Sequence, residues 1–483
     1  MNRKFISGSI FCLLFLYCWP GGFSELLAQE RINILNSERG EVGVIDGEPV
    51  RKLIGNVRLS TESMVMECDS AWQFQERNMI QAFNIEIETD DERIWADTLY
   101  HNTLNDYSRF RGRVVIESDR NTLFSESIDY DRILDVALFL APVRFEDNRG
   151  SLLAESGYYF ERTDIGFFEG DVQLADTAQY LEADSLFMNR ESDFYQLFSR
   201  VYVKNFEDNV TFAGDFLEAD STGYRLLEGN SWMMQVNDAG TDTTHLNAET
   251  ILLQETDTAS TIDAFEDVRL WSPSYSAIAD TAYYRSDIEE FQLISNPIAW
   301  QKNIQLTGPY IETQLEDDQI KFLESYSRPI AVQEDSVTGR FNQMTGDTLH
   351  AYFDEGDIQK LIVFNNSELI FHQKDENDEP DGLIELIAGM ASTITFEEGE
   401  PAHLHVNRNI DGSYLPEDPE NIDRRLSGFR WDPELRPARP EIRQSRLPIL
   451  NPMSVDPMFE FPPRYQSYLQ ARNEESNRDS GEP

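Results

Sequence analysis

Hydrophobic and polar residues alternate along most of this 483-residue chain. Segments such as GNVRLS, RVVIES, PVRFED, DVQLAD and DVRLWS place an apolar side chain at every second position. A period of two is typical of a β-strand with one buried face. Clusters such as HNTLND, EDNRG and NRESD separate these segments and predict turns. No window of helical length carries an apolar stripe with a period of 3.6 residues, so the pattern predicts an all-β protein.

One phrase recurs through the chain. WADTLY at 95–100 returns as SESIDY, AESGYY, EADSLF, AETILL, ADTAYY and GDTLHAY. From Asp69 to Asp347, the acidic residues of successive copies lie 28, 29, 29, 29, 36, 29, 31, 32 and 35 residues apart. A second track of Val and Ile residues, which begins at Val57 and Ile85, keeps the same register. Such periods are typical of stacked architectures, and we predict an elongated β-structure of about ten repeats of ~29 residues.

The recurring phrase has two interpretations. Its apolar residues are expected to face the interior, while its acidic and hydroxyl residues lie beside a turn or on the solvent face and cap backbone amides. The alternative is a ladder of Ca²⁺ sites. Calcium loops gather several oxygen ligands within about a dozen residues, whereas each repeat here supplies one acid. The spacing therefore favours a structural role for the phrase.

The net charge argues against one class of partner, and the N-terminal segment predicts export. The chain has 88 acidic and 40 basic residues, a formal charge of −48, which argues against nucleic acid as a partner. Arg3 and Lys4 precede an apolar run at 5–19, and Ala28 offers a cleavage point, so residues 1–29 are predicted to be a signal peptide. Cleavage would leave Cys68 as the single cysteine, so no intramolecular disulfide is expected.

The repeats are predicted to occupy residues 30–410. Beyond them, residues 411–483 form a proline-rich tail that is predicted to be largely irregular, with 9 of the 20 prolines after position 429. The tail also carries apolar residues, among them Trp431, Leu450 and Phe459. It is therefore either a disordered terminus or a segment that docks on its own domain or on a partner.

The sequence offers no convincing catalytic constellation. It contains no G-x-S-x-G, H-E-x-x-H, P-loop or G-x-G-x-x-G motif. His403 and His405 would share one face of a strand, but a metal site would need further ligands, and two surface residues are the simpler interpretation. Cys68 is interpreted as a small buried residue. We therefore predict a protein that is not an enzyme and that needs no cofactor or metal.

The repeat resembles the OstA-like family of lipopolysaccharide-transport proteins, in the long form of Bacteroidetes-type bacteria. The family pattern is a G-x-V strand followed by a strand with a C/A-D-S/T phrase. It matches GNV at 55–57, CDSA at 68–71, AFNI at 82–85, ADTLY at 96–100 and GRV at 112–114. A related pattern extends over roughly residues 50–370, so the resemblance covers most of the predicted mature chain.

The resemblance implies a twisted β-jellyroll, open at both ends, with an apolar groove along its axis. It implies a periplasmic bridge, associated with the outer membrane through its partners, that carries lipopolysaccharide or a related multi-acyl lipid during outer-membrane assembly. Edge strands would pair with neighbouring jellyroll proteins and with the outer-membrane translocon. The candidate groove residues are the alternating pairs Val57/Leu59, Ile85/Ile87, Val114/Ile116, Val143/Phe145, Val172/Leu174, Val201/Val203 and Val268/Leu270.

Two other functions remain open at this point. A ligand-free structural β-solenoid of the envelope would show the same inward apolar residues, packed against each other. A polysaccharide-active β-helix enzyme would need a cluster of Asp, His, Arg or Lys that interrupts the repeat on one face. The acidity of the chain also disfavours phosphorylated lipid heads unless they stay outside the groove or bind through divalent ions.

Overall fold

The structure is an all-β protein, as the alternating pattern predicts, and its strands pair antiparallel. The computed structural model describes residues 32–61, 64–90, 92–118, 121–148, 150–237, 240, 242–256, 258–316, 319–377, 379–397, 399–450 and 459–479. These residues form 34 strands, two short 3₁₀ turns and one α-helix. The predicted signal peptide at 1–29, with Cys12 and Cys18, lies outside the described residues. The all-β prediction is confirmed.

The chain divides into two compact units. Unit 1 comprises Met1–Phe206 and Ser445–Pro483, and unit 2 comprises Glu207–Gln444. The C-terminal tail therefore contributes to both. The strands of unit 1 are β1 Asn33–Asn36, β2 Arg39–Ile45, β3 Glu48–Ser60, β4 Met64–Phe74, β5 Met79–Thr89, β6 Glu92–Asn102, β7 Tyr107–Ser118, β8 Asn121–Asp131, β9 Val136–Phe139, β10 Val143–Asp147, β11 Gly150–Ala154, β12 Ser156–Phe160, β13 Ile165–Asp176, β14 Gln179–Asn189 and β15 Phe194–Asn205.

Unit 2 holds the remaining strands, which are shorter toward its end. A 3₁₀ turn at Pro433–Leu435 lies in its part of the tail, and another at Glu161–Thr163 lies in unit 1. The strands are β16 Val210–Ala219, β17 Tyr224–Val236, β18 Thr243–Glu255, β19 Ser260–Trp271, β20 Ser276–Arg285, β21 Glu290–Ile294, β22 Ile298–Gln301, β23 Ile304–Thr307, β24 Tyr310–Glu316, β25 Gln319–Tyr326, β26 Ile330–Asp335, β27 Arg340–Thr345, β28 Thr348–Asp354, β29 Asp357–Phe364, β30 Ser367–Lys374, β31 Pro380–Ala388, β32 Ala391–Glu397, β33 Glu400–Asn407 and β34 Ile410–Leu415.

Most long strands contain a β-bulge near the middle. Between β6 and β7 the register shifts opposite Gly112 and Arg113, whose φ angles are +72° and +45°. The same shift recurs between β13 and β14 at Gly170, and between β16 and β17 at Gly229. A bulge bends its strand and increases the local twist. Each long strand therefore has two halves that can belong to two different walls.

Strand pairing shows the two walls of unit 1 directly. β8 pairs with β9 and with β10, and β13 pairs with β11 and with β12. Between these long strands the sheet has two branches, β10–β11 and β9–β12. We call the β10–β11 side wall 1 and the β9–β12 side wall 2. The two halves of the long strands extend both walls to either side.

Unit 2 splits in the same way after β20, which pairs with both β21 and β22. Within unit 2 we use the name wall 1 for the branch that runs from β22 through β23, β26, β27, β30 and β31 to β34. We use the name wall 2 for the branch that runs from β21 through β24, β25, β28, β29 and β32 to β33. Two sheets with apolar inner faces stabilise each other by face-to-face packing.

The structure departs from the sequence pattern near the C-terminus. Residues Pro463–Asp479 form a helix, α1, where the absence of an apolar stripe predicted none. Its apolar positions Tyr465, Tyr468 and Leu469 follow i, i+3, i+4 spacing, but they span little more than one turn, so the pattern was too short to register. The preceding strand β34 also extends to Leu415, five residues beyond the predicted end of the repeats at 410.

Candidate functional site

An unbroken apolar row crosses the inner face of wall 1 in unit 1. Each member pairs directly with the next across neighbouring strands, so the row is set by register. The second residues of the six predicted pairs in unit 1 occupy every other place in it. The row is Leu59, Met66, Ile87, Ile94, Ile116, Leu123, Phe145, Leu152, Leu174, Leu181 and Val203.

The first residue of each predicted pair faces a small residue of the recurring phrase. Val57 pairs with Cys68, Val143 with Ala154, and Val172 with Ala183, and all six side chains are buried. The small residue that precedes each acid therefore points inward. It leaves room for the branched residue opposite it, which explains why Cys, Ala or Ser precedes the acid in most copies of the phrase. Burial raises the pKa of the Cys68 thiol to about 12, as for an unreactive core cysteine.

Aromatic rings fill the interior of unit 1 between β9 and β13. Phe139 of wall 2 meets Phe145 of wall 1 with ring centroids 5.4 Å apart, and Phe168 lies 5.8 Å from Phe145. The cavity beside these rings has a volume of only about 30 Å³. Such edge-to-face and stacked rings bury large areas and leave little space between the walls. This part of the interior is a packed core.

The interior of unit 2 contains a much larger cavity, of about 560 Å³. A size of this order is typical of small-molecule sites. It lies between an inner row of wall 1 and an inner row of wall 2, and six of its lining residues are alanines. The wall 1 row is Leu246, Leu270, Ala277, Ala299, Leu306 and Ala331; the wall 2 row is Ile262, Tyr284, Phe291, Thr313, Leu323, Ala351 and Leu361; Ala264 and Ala282 also line the cavity.

The small size of alanine explains the open space. Unit 1 places Phe, Ile and Leu at comparable inward positions, and its walls meet. In unit 2 the neighbouring pairs Ala277–Ala299 and Ala264–Ala282 leave both inner faces short of side-chain volume. The feature of the sequence that could have revealed this site is the group of six alanines at inward positions of strands between residues 264 and 351. The groove prediction made from the sequence rests instead on the Val and Leu residues of the second track.

The predicted groove residues are mostly buried, but few line open space. Twelve of the fourteen are buried, and Phe145 and Leu174 are half-buried. Leu270 lines the large cavity, while Ile116 and Phe145 line the small one. The structure thus brings the unit 1 candidates together in adjacent rows and places one candidate, Leu270, beside the large cavity.

A polar rim surrounds one end of the unit 2 cavity. Gln235 lies in β17, next to its last residue, and the turn after β17 supplies Asp242. The turn after β19 supplies Ser272, Ser274 and Tyr275. Gln235, Asp242 and Ser274 are exposed to solvent. We call these five residues the rim. The cavity therefore combines an apolar interior with an edge that can hydrogen-bond to a polar group.

Two contacts join the walls beside the cavity. Gln301 Nε2, at the end of β22 in wall 1, donates to the carbonyl oxygen of Gly356 in wall 2 at 2.5 Å. Lys302 Nζ lies 2.8 Å from Asp357 Oδ1. We call this pair of contacts the clasp. In unit 1 a comparable ion pair joins Asp147 to Arg190 at 3.0 Å. The clasp joins the end of β22 in wall 1 to the turn between β28 and β29 in wall 2.

The recurring acid is found in both expected places, and Asp220 lies at the turn after β16, where it accepts a hydrogen bond from Thr222 N at 2.8 Å. Asp97 lies in mid-strand on the outer face, opposite the bulge of β7, and Arg113 donates to it through Nε and Nη2 at 2.9 and 2.7 Å. Asp184 is paired likewise with Arg200, and this hydrogen bond holds the pKa of Asp184 below its ordinary value. Among the described residues, no group of three or more His, Cys, Asp or Glu could hold a metal ion.

The tail docks on the outer face of both units. In unit 2, Gln305 accepts from Asp432 N at 2.9 Å and donates to Arg430 O at 3.0 Å, while Gln343 accepts from Leu426 N at 2.8 Å. Both glutamines are fully buried. Each side-chain amide thus pairs with the tail backbone as a neighbouring strand would. Of the two alternatives left by the sequence, docking on its own chain is the observed one.

In unit 1 the tail makes polar and aromatic contacts. Glu182, which is buried, accepts hydrogen bonds from Ser445 Oγ at 2.6 Å and from Arg446 N at 2.8 Å. Trp95 packs against Tyr465 and Tyr468 of α1 with ring centroids 4.8 and 5.1 Å apart. The tail therefore covers apolar side chains on the outer face. No helix among the described residues is long and apolar enough to cross a membrane.

The fold and the cavity define a class: an antiparallel β-protein whose walls enclose an apolar interior. Comparisons with known proteins add the family. Residues 29–184 match the model of the OstA-like protein family, and the resemblance seen in the sequence is confirmed over this region.

Comparison with solved structures finds LptH from Pseudomonas aeruginosa, described as the LptA-homologous periplasmic component of the conserved lipopolysaccharide transport device. It is 15% identical, with a TM-score of 0.19, and the match covers 21% of this chain and 76% of LptH. No curated protein matches the chain.

Proposed function

We propose that this protein is a non-enzymatic lipid-binding bridge of the periplasm. It carries lipopolysaccharide or a related multi-acyl lipid toward the outer membrane, with acyl chains in its apolar interior. The observation that supports this most is the 560 Å³ cavity of unit 2, lined by aliphatic and aromatic side chains from both walls. An apolar ligand in such a space gains free energy from burial without displacing protein side chains.

The rows of unit 1 are the second element of the proposal. The twelve groove candidates that lie in unit 1, from Val57 to Val203, would contact lipid if the walls of unit 1 separated along Leu59 to Val203, while Val268 and Leu270 belong to unit 2. The row is continuous across eleven residues, so a separated interior would be apolar along its whole length. The OstA-like region at 29–184 covers nearly all of this row.

Partners would bind through the strand edges. Among the described residues, β2 pairs only with β3, so the backbone of its other edge is unpaired. The side chains of Val42 and Val44 on this strand are 82% and 69% exposed. Exposed apolar edge strands recruit other strands by β-augmentation. Neighbouring jellyroll proteins and an outer-membrane translocon are the proposed partners.

The test is native mass spectrometry of the full mature protein purified gently from its own envelope, with analysis of the released lipid. Ala282→Phe would fill the cavity, because Ala282 lines it. Thr281→Phe, one residue earlier and on the outer face, is the matched control. We expect bound multi-acyl lipid in the wild type and in the control, and much less in Ala282→Phe. A wild-type protein that stays free of lipid, and that binds none when offered it, would favour a ligand-free β-solenoid.

A further inference from the structure

The chemistry of the unit 2 cavity restricts the head group of its ligand, and this inference rests on the proposed lipid-binding function. Of the described residues that line the cavity, none is Lys or Arg, and Asp242 is the only acidic one. A phosphate or carboxylate head at the rim would meet no lining cation. It would also lie in the field of a chain whose formal charge is −48.

Two basic side chains lie close to the rim, and both already bind protein oxygens. Lys302 Nζ forms the clasp with Asp357. Arg436 of the tail donates through Nε to Ser276 Oγ at 3.1 Å and through Nη1 to Lys302 O at 2.7 Å. An anionic head could recruit them only by breaking these contacts. The clasp would then open at the point where the ligand is held.

The polar groups of the rim suit an uncharged head. Gln235, Ser274 and Tyr275 provide amide and hydroxyl groups that both donate and accept hydrogen bonds, whereas Ser272 Oγ already accepts from Tyr275 N and donates to Tyr275 O, both at 3.2 Å. Hydroxyl and amide groups of a sugar or glycerol head need partners of this kind. Recognition by neutral hydrogen bonds also avoids the cost of removing an ion from water.

The volume limits how much hydrocarbon enters. A methylene group needs a volume similar to that of a water molecule, roughly 30 Å³. The 560 Å³ of the cavity therefore holds one long acyl chain or two short ones. A lipid with more chains would place the others elsewhere.

We infer that the unit 2 cavity binds one long or two short acyl chains of a lipid whose head group, at the Gln235–Asp242–Ser274 rim, is an uncharged sugar or polyol rather than a phosphate. The selectivity comes from the absence of lining cations together with the acidic field of the chain. It is a property of this cavity and does not depend on the interior of unit 1.

The experiment compares two probes with the same chain: tetradecyl maltoside, which is uncharged, and tetradecyl phosphate. Binding to the full mature protein is measured below the critical micelle concentration, in EDTA, by displacement of a fluorescent fatty-acyl probe. We expect the maltoside to bind at least about tenfold more tightly than the phosphate at about 50 mM salt, and the ratio to fall at high salt. Asp242→Lys should reduce the ratio several-fold by improving phosphate binding.

The outcomes separate the two proposals. If both probes bind and Ala282→Phe weakens both, but the phosphate binds as tightly as the maltoside, the head-group inference is wrong and the lipid-binding function stands. If neither probe binds, or if Ala282→Phe and Thr281→Phe bind like the wild type, the cavity is not a lipid site and the proposed function fails with it. A maltoside preference that disappears in Ala282→Phe supports both.

Discussion

Gly112 lies directly beneath Asp97: a Cβ atom at Gly112 would come 2.6 Å from Asp97 Oδ2. The same relationship joins Gly170 to Glu155. It also joins Gly229 to Asp215, which in this repeat takes the place that the sequence spacing gave to Asp220. The glycine of each bulge adopts a positive φ and also makes room for the acid of the neighbouring strand. The recurring acid and the glycine of the G-x-V strand are therefore two parts of one structural device.

This device predicts a stability effect at Gly112. Gly112→Ala would add a Cβ that meets a carboxylate and would force an L-residue to a φ of +72°, so we expect a loss of about 1–3 kcal/mol in the free energy of unfolding. Chemical denaturation measures it. Gly43→Ala is the matched control, because a Cβ there meets nothing within 4 Å. Equal losses in the two variants would contradict the proposed role of the bulge glycine.

Two buried leucines should distinguish packed core from cavity wall. Leu181 continues the closed row of unit 1 between Leu174 and Val203, whereas Leu270 faces the open cavity of unit 2. Leu181→Ala should cost about 2–5 kcal/mol, because the removed atoms leave a new void. Leu270→Ala should cost about half as much, because its side chain already borders empty space. Similar values from denaturant unfolding would mean that the unit 2 interior is as tightly packed as that of unit 1.

The clasp should control access to the cavity more than stability. Lys302 is about half exposed, so Lys302→Glu should change the free energy of unfolding by less than about 1 kcal/mol. Repulsion between the introduced carboxylate and Asp357 should nevertheless separate the walls, and we expect several-fold faster exchange of a bound fluorescent lipid in stopped-flow measurements. Lys321→Glu is the control, since the partners of Lys321 among the described residues, Glu316 and Asp354, both lie in wall 2. Unchanged exchange in Lys302→Glu would exclude the clasp as a gate.

Glu182 should hold the tail on unit 1. It is buried and also accepts a hydrogen bond from Tyr180 OH at 2.9 Å, in addition to those from the tail. In Glu182→Gln one oxygen becomes an amide nitrogen that faces donors, so residues 445–450 should detach. Hydrogen exchange of that segment should rise at least about tenfold, and trypsin should cut faster after Arg446. Exposed Glu41→Gln should change neither, and a tail still protected in Glu182→Gln would show that aromatic contacts suffice.

His245 should make stability depend on pH. Burial lowers its pKa, with a further contribution from Arg439, and Trp232 Nε1 donates to its Nδ1 at 3.3 Å. Between the two pKa values, His245 is therefore neutral in the folded state and protonated in the unfolded state, where its pKa is near 6.5. Stability is lost as pH falls below about 6.5, by about 1 kcal/mol at about pH 5.5 for this residue.

The measurement is denaturant unfolding of the wild type and of His245→Gln at about pH 7.5 and about pH 5.5, on either side of the unfolded pKa. The variant should lose less stability between the two pH values. His101 and His372, whose pKa values burial also lowers, keep part of the pH dependence in both proteins. An identical loss in wild type and variant would show that His245 is protonated equally in the folded and unfolded states.

Much of the fold could be predicted from the sequence. Alternation at Val57/Leu59 or Val172/Leu174 identifies strands because side chains of a strand point to opposite faces in turn. The interval of ~29 residues fixes which strands are neighbours. Together they predicted an all-β architecture of stacked repeats with buried apolar rows, whereas the antiparallel pairing of the strands was seen only in the structure. The ten-repeat count itself stays a prediction.

The candidate site could not be found in the same way. An inward alanine such as Ala277 looks the same in sequence whether a large side chain or empty space lies opposite it, and that depends on which residues the other wall supplies. The docking of Tyr465 on Trp95 was equally hidden, because 370 residues separate the two rings. Local pattern determined the strands and their inner faces, since these follow from backbone geometry. Only the tertiary structure decided where the walls meet, where they leave a cavity and what the tail covers, because those are volumes and distances between segments remote in sequence.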